Sequence, residues 1–126
     1  MKFEHFALNT SDARAVVRWY VQHLGLRIAR QMEIPPYTAF LADATGRVVV
    51  EFYSRTDAIV PDYGAAQPLC FHIAFVSENN DEIRARLATA GANEGTEETL
   101  PDGSKLLMMR DPWGVPIQFC HRARPF

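Results

Sequence analysis

Four side chains in this 126-residue chain are of types that hold a divalent metal, and they recur at one spacing. His5 and His72 lie 67 positions apart, and so do Glu51 and Gln118. Two imidazoles, a carboxylate and an amide oxygen form a suitable ligand set for zinc, nickel, iron(II), manganese or cobalt. They do not offer the all-oxygen surroundings that calcium prefers. A metal held this way would act as a Lewis acid on a small oxygenated substrate. A lone strand histidine is more often half-buried and satisfied by ordinary hydrogen bonds. The shared register of all four residues favours the ligand reading. Glu51 beside Val48-Val49-Val50 is hard to read as solvated surface, because a carboxylate in such a run wants a partner.

Strands have to carry these residues. Residues 3–9 alternate, and residues 70–76 alternate in the same way, with Phe71, Ile73 and Phe75 on one face and His72 on the other. Each stretch is followed by polar capping residues and a helical pattern, near 13–23 and 81–90. The helices stop at Gly25 and Gly91, which are 66 apart. Further strands are expected at 26–34, 37–42 and 47–53, and again at 94–99, 105–110 and 115–121. Their turns end at Gly46 and Gly114, 68 apart. Each half is thus a βαβββ module, about 1–54 and 69–122, with a Pro-containing linker at 55–68 inside a single domain. Val48, Val50 and Phe52 share one strand face, as do Val115, Ile117 and Phe119. Those faces must cover the helices. His5, Glu51, His72 and Gln118 then point to the opposite side, where a pseudo-twofold between modules would gather them.

The bulk properties exclude several classes. With 48% hydrophobic and 22% charged residues the chain can build a core. A formal charge of -2, a pI near 6.1 and no basic run argue against a nucleic-acid partner. No stretch is long enough to cross a bilayer, and the first residues lack the apolar run of a signal peptide. Two cysteines, Cys70 and Cys120, are too few for a disulfide framework, so the expectation is a reducing cytoplasm with both as buried filler. Tyr37, Tyr53, Met108, Arg110 and Trp113 are candidates to line a substrate pocket. Trp19 and Tyr20 read as helix packing, and 96–98 as a solvated edge. Exposed sheet edges favour a homodimer.

The segments Phe3-Glu4-His5-Phe6-Ala7-Leu8, Trp19-Tyr20, His23-Leu24-Gly25-Leu26, Val49-Val50-Glu51-Phe52, Phe71-His72-Ile73-Ala74, Arg110-Asp111-Pro112-Trp113-Gly114 and Ile117-Gln118-Phe119 resemble the vicinal oxygen chelate superfamily. That group includes glyoxalase I, bleomycin-resistance proteins and extradiol dioxygenases, and the likeness covers nearly the whole chain. It implies an α+β fold, with two βαβββ modules forming a curved mixed sheet and helices on the outer face, around a divalent metal. His5, Glu51 and His72 match three of the four family ligand positions. At the fourth, glyoxalases and extradiol dioxygenases usually carry glutamate, and this chain has Gln118. An amide can coordinate through its oxygen but cannot take a proton as that glutamate is held to do in glyoxalase I. The methylmalonyl-CoA epimerase branch has a similar set with the glutamine on the first module, so this chain looks like that set with modules exchanged. The implied activity is a glyoxalase-type lyase or isomerase. The alternatives are a metal-free protein that sequesters a drug or antibiotic between subunits, and an iron-dependent extradiol-type dioxygenase.

Overall fold

The structure is a computed structural model describing residues 1–126. The chain divides into two compact units, Met1–Pro61 and Asp62–Phe126. In the first, β1 (Phe6–Asn9) leads to α1 (Ala13–Leu24), followed by β2 (Arg27–Gln31), β3 (Ala39–Ala42) and β4 (Val48–Tyr53). The sheet order is β1-β4-β3-β2, with β1 parallel to β4 and the remaining pairs antiparallel. In the second, β5 (Ile73–Val76), α2 (Asn80–Thr89), β6 (Thr96–Thr99), β7 (Lys105–Arg110) and β8 (Pro116–His121) repeat the plan, in the order β5-β8-β7-β6. Each unit is therefore the expected βαβββ module around its own four-stranded mixed sheet.

The repeat extends to the hydrogen-bond ladder. In β1 and β4, Phe6, Ala7, Leu8 and Asn9 face Val50, Glu51, Phe52 and Tyr53. In β5 and β8, Ile73, Ala74, Phe75 and Val76 face Ile117, Gln118, Phe119 and Cys120. Every partner in the second set lies 67 positions beyond its counterpart in the first. Because a one-residue slip would turn every side chain to the other face, this identity of register fixes equivalent faces in the two units.

Local chemistry accounts for the helices. Asp12 caps α1 by accepting from the Ala15 amide, and Ser54 Oγ accepts from the Ala13 amide at 2.8 Å. Gly25 ends the helix in the left-handed region, at φ 71°, and its amide donates to the Tyr20 carbonyl. Val16, Val17 and Tyr20 are buried against Ala39, Leu41, Val50 and Phe52, and the Tyr20 ring meets Phe52 edge-on at 4.8 Å. In the second unit Asn79 caps α2 by accepting from the Glu82 amide. Leu87 is buried there with Leu107, Met109, Ile117 and Phe119, and Phe75 stacks on Phe119 at 5.9 Å. No helix is long and apolar enough to cross a membrane.

Several boundaries differ from expectation. The strand expected over residues 70–76 starts only at Ile73, because the preceding residues form a turn closed by the Cys70 amide donating to the Gln67 carbonyl. β1 likewise starts at Phe6, which leaves His5 and His72 each one residue ahead of its strand. The turn also corrects one assignment: Cys70 is exposed, whereas Cys120 is buried as expected, and both are free. The expected linker is structured at both ends. Asn9 accepts from the Arg55 amide at 2.8 Å and donates to the carbonyls of Arg55, Ala58 and Ile59.

Candidate functional site

In the first unit His5 and Glu51 come together. Alternation along β4 sends Val50 and Phe52 into the helix-covered core and leaves Glu51 on the opposite face, where its side chain is 16% exposed. His5, just ahead of β1, reaches the same face, with its Nε2 3.1 Å from Glu51 Oε2. Phe40 completes the group. It is opposite Glu51 in the β3–β4 ladder, and its ring meets the His5 imidazole nearly perpendicularly, with centroids 5.2 Å apart. The other ring nitrogen, His5 Nδ1, contacts the carboxylate of Glu4.

The donor separation can be tested against metal geometry. Ligand bonds of roughly 2.1 Å put adjacent donors about 3.0 Å apart at a right angle and about 3.4 Å apart at a tetrahedral angle. The Nε2–Oε2 distance of 3.1 Å falls within that range. That separation is compatible with two adjacent ligands of one divalent ion and is equally that of a direct imidazole–carboxylate hydrogen bond.

In the second unit Gln118 takes the place of Glu51 in the ladder, opposite Ala74 on one side and Met108 on the other. His72 has its Nδ1 2.9 Å from the Pro68 carbonyl oxygen. The Gln118 amide oxygen accepts from the Cys120 thiol at 3.3 Å. No three His, Cys, Asp or Glu side chains of the chain are grouped to hold a metal ion.

The five candidate pocket residues divide by environment. Tyr37 is half-buried under the Arg14 guanidinium, which lies 4.4 Å from its ring centroid, and its φ of 58° is unusual for a residue other than glycine. Tyr53 follows Glu51 on the same β4 face, and its carbonyl accepts from the Thr10 amide. Met108 lies on the Gln118 face and borders a cavity of about 170 Å³ shared with Pro68, Asn93 and Gly95. Arg110 borders it too, but its guanidinium donates to the carbonyls of Tyr63, Ala66 and Gly114. Trp113 lies in the turn before β8, where its amide donates to Asp111. A larger cavity, about 500 Å³, lies in the second unit between the β5–β8 end and the tail, bordered by Phe75, Val76, Cys120, Pro125 and Phe126.

Two neighbours of His5 were not among the sequence candidates. Phe40 lies in the stretch 37–42 expected as a strand, and the structure buries Ala39 and Leu41 on one face of it and leaves Phe40 on the Glu51 face. Glu4 was not recoverable, because strand alternation through residues 3–9 would place it across the sheet from His5. It reaches His5 because the chain there is not yet strand.

The sequence profile of the Glyoxalase/Bleomycin resistance protein/Dioxygenase superfamily matches residues 2–119. No curated protein matches the chain by sequence. Solved structures do match in fold. TioX from Micromonospora sp. ML1 is 23% identical, with 96% of this chain and 98% of that chain covered and a TM-score of 0.67. A glyoxalase family protein from Enterococcus faecalis is 25% identical over 95% and 97% of the two chains, with a TM-score of 0.68. A structure named lactoylglutathione lyase, from Agrobacterium tumefaciens, is 21% identical over 95% and 92%, with a TM-score of 0.67.

Proposed function

The chain belongs to the Glyoxalase/Bleomycin resistance protein/Dioxygenase superfamily, and from that premise we propose that it is a metal-dependent enzyme acting on a small oxygenated substrate. The nearest named activity is a glyoxalase I-type lyase or isomerase. The proposed ligands are His5, Glu51, His72 and Gln118, for an ion of the zinc, nickel, iron, manganese or cobalt class. The observation that carries this reading is the 3.1 Å pairing of His5 Nε2 with Glu51 Oε2 on a sheet face whose ladder register recurs around Gln118. When bound, the ion supplies Lewis acidity, which stabilises negative charge developing on the substrate oxygens.

The chain's own residues supply the rest. Glu51 provides the only full negative charge among the four and offsets part of the ion's charge. Phe40 walls one side of His5 and limits the water that reaches it. Gln118 contributes an oxygen but no base, so a proton moved between substrate carbons must be carried by another group. In this reading the protein is a cytoplasmic homodimer, in keeping with its two free cysteines and open sheet edges.

The second reading, a metal-free protein that binds a drug-like compound, draws support from one observation. The Gln118 oxygen already accepts from Cys120, which occupies part of its capacity as a ligand. Metal analysis of the protein purified without a histidine tag separates the two. Under the first reading it carries a divalent ion in stoichiometric amount, and His5→Ala loses it. A protein without metal, whose ligand affinity is indifferent to His5→Ala, supports the second.

A further inference from the structure

A second cluster of polar side chains lies in the second unit, on the face opposite Gln118. Glu97 pairs with Leu107 in the ladder and Leu107 with Phe119, which puts Glu97 on the helix-covered side. There it borders a cavity of about 120 Å³ together with Glu78, Asn80, Asp81 and Lys105, at the N-terminal end of α2. Asn80 is only 5% exposed. Its Nδ2 donates to Glu97 Oε2 at 2.8 Å and to the Lys105 carbonyl at 3.3 Å, which fixes the amide's orientation. Its Oδ1 is buried and accepts no hydrogen bond from the chain. A buried acceptor left without a donor is costly, so this atom calls for a donor from outside the chain.

The charges around it narrow the choice. Three carboxylates and one ammonium border the cavity. Lys105 Nζ lies 4.0 Å from Glu97 Oε1 and offsets that carboxylate, leaving those of Glu78 and Asp81. An anion is therefore disfavoured, although a helix start ordinarily attracts one. Two of the amides it would use are also taken, that of Glu82 by Asn79 Oδ1 and that of Ile83 by the Asn79 carbonyl. A metal ion cannot donate a hydrogen bond, and the three grouped ligands it would need are absent. A cation bearing N–H groups meets both demands. One water needs only about 10–15 Å³ of such space, so the cavity has room for an ion of several heavy atoms. We propose that this cavity binds a small organic ion with a primary ammonium head, which donates to Asn80 Oδ1 and to the carboxylates of Glu78 and Asp81. The site is separate from the Gln118 face and does not rest on the metal-dependent reading.

The test uses the full, ¹⁵N-labelled chain with methylammonium chloride as the probe, at ionic strength held constant with potassium chloride. Tetramethylammonium chloride carries the same charge without an N–H group and serves as the comparison. Methylammonium is expected to shift the Asn80 side-chain amide resonances along a saturable curve, and tetramethylammonium to leave them in place. The double variant Glu78→Gln, Asp81→Asn should weaken methylammonium binding by about tenfold, since it removes two exposed charges. Glu94→Gln removes a charge from an exposed position outside the cavity and should bind as the parent does. Thermal unfolding of each variant shows whether it is folded, and the comparison of the two probes on the parent needs no variant. A parent whose Asn80 resonances respond to neither ion, or to both alike, overturns the proposal: the cavity then holds water beneath a solvated acidic surface. A loss of affinity in the double variant no greater than in Glu94→Gln overturns it as well.

Discussion

The guanidinium of Arg110 donates to the carbonyl oxygens of Ala66, Tyr63 and Gly114 at 2.6, 2.7 and 2.8 Å. Its planar fork suits this task, since donors fixed in one plane reach several acceptors at little further entropic cost. The bonds tie residues 63–66 to the turn before β8, and the Arg110 amide itself donates to Asn93 Oδ1. From sequence an arginine beside the Asp-Pro-Trp-Gly turn reads as a pocket cation; its surroundings give it a structural load. Net contributions of roughly 1.5–3 kcal/mol are typical for a hydrogen bond to a charged group, and three that share one donor do not add fully. Arg110→Ala is therefore expected to lower stability by about 2–4 kcal/mol in urea unfolding. Arg110→Lys should recover only part, because an ammonium cannot span three carbonyls in fork geometry. If Arg110→Ala unfolds like the parent yet loses ligand binding, the pocket role is the right one.

Among the elements, the two turns that precede β4 and β8 show how much of the repeat is local. In Asp43-Ala44-Thr45-Gly46 the Asp43 amide donates to the Arg47 carbonyl and the Gly46 amide to the Asp43 carbonyl. In Asp111-Pro112-Trp113-Gly114 the same bonds join Asp111 to Val115 and Gly114 to Asp111. Both aspartates also accept from amides inside the turn, and both glycines have φ 86°. The surroundings differ. A Cβ on Gly46 would meet nothing within 4 Å, whereas on Gly114 it would come within 2.6 Å of the Gly64 nitrogen and 2.8 Å of its Cα. Gly46→Ala should thus cost about 1–2 kcal/mol, the left-handed backbone penalty alone. Gly114→Ala should cost at least twice as much, because backbone atoms must move, and equal losses in thermal unfolding would refute the close approach. The turn positions, helix stops and strand alternation were legible in the sequence because they are set by residues within a few positions of one another. The close approach at Gly114 was not, since Gly64 is fifty positions away. Nor was the late start of β5, which depends on the turn that Gln67 and Cys70 close. The exposure of Cys70 follows from that turn.

For the whole molecule, two copies of one plan have kept an equivalent frame and diverged in charge. Position 51 is opposite Ala7 and Phe40, and position 118 is opposite Ala74 and Met108, so the two side chains leave their sheets from equivalent ladder positions. The placement of His5 beside Glu51 on one sheet face, and the matching register of Gln118 in its own sheet, were legible because strand alternation and the 67-residue offset need no knowledge of contacts. Which chemistry they serve was not legible, because a substrate is recognised by surfaces that no single spacing encodes. The asymmetry itself can be tested. Gln118→Glu is nearly isosteric, and the new carboxylate can accept from the Cys120 thiol just as the amide oxygen does, so the fold should be undisturbed. It adds a second negative charge to the proposed ligand set and a group able to take a proton. Under the metal-dependent reading, zinc affinity should rise by about tenfold, the equivalent of 1.4 kcal/mol. If the site is a glyoxalase centre lacking its base, isomerisation of the methylglyoxal–thiol hemithioacetal should rise in the same variant, measured by thioester formation. Tighter zinc without that gain would keep the metal site and direct the search to a substrate whose reaction needs no base at position 118. Zinc affinity unchanged by a full added charge would remove residue 118 from the ligand set.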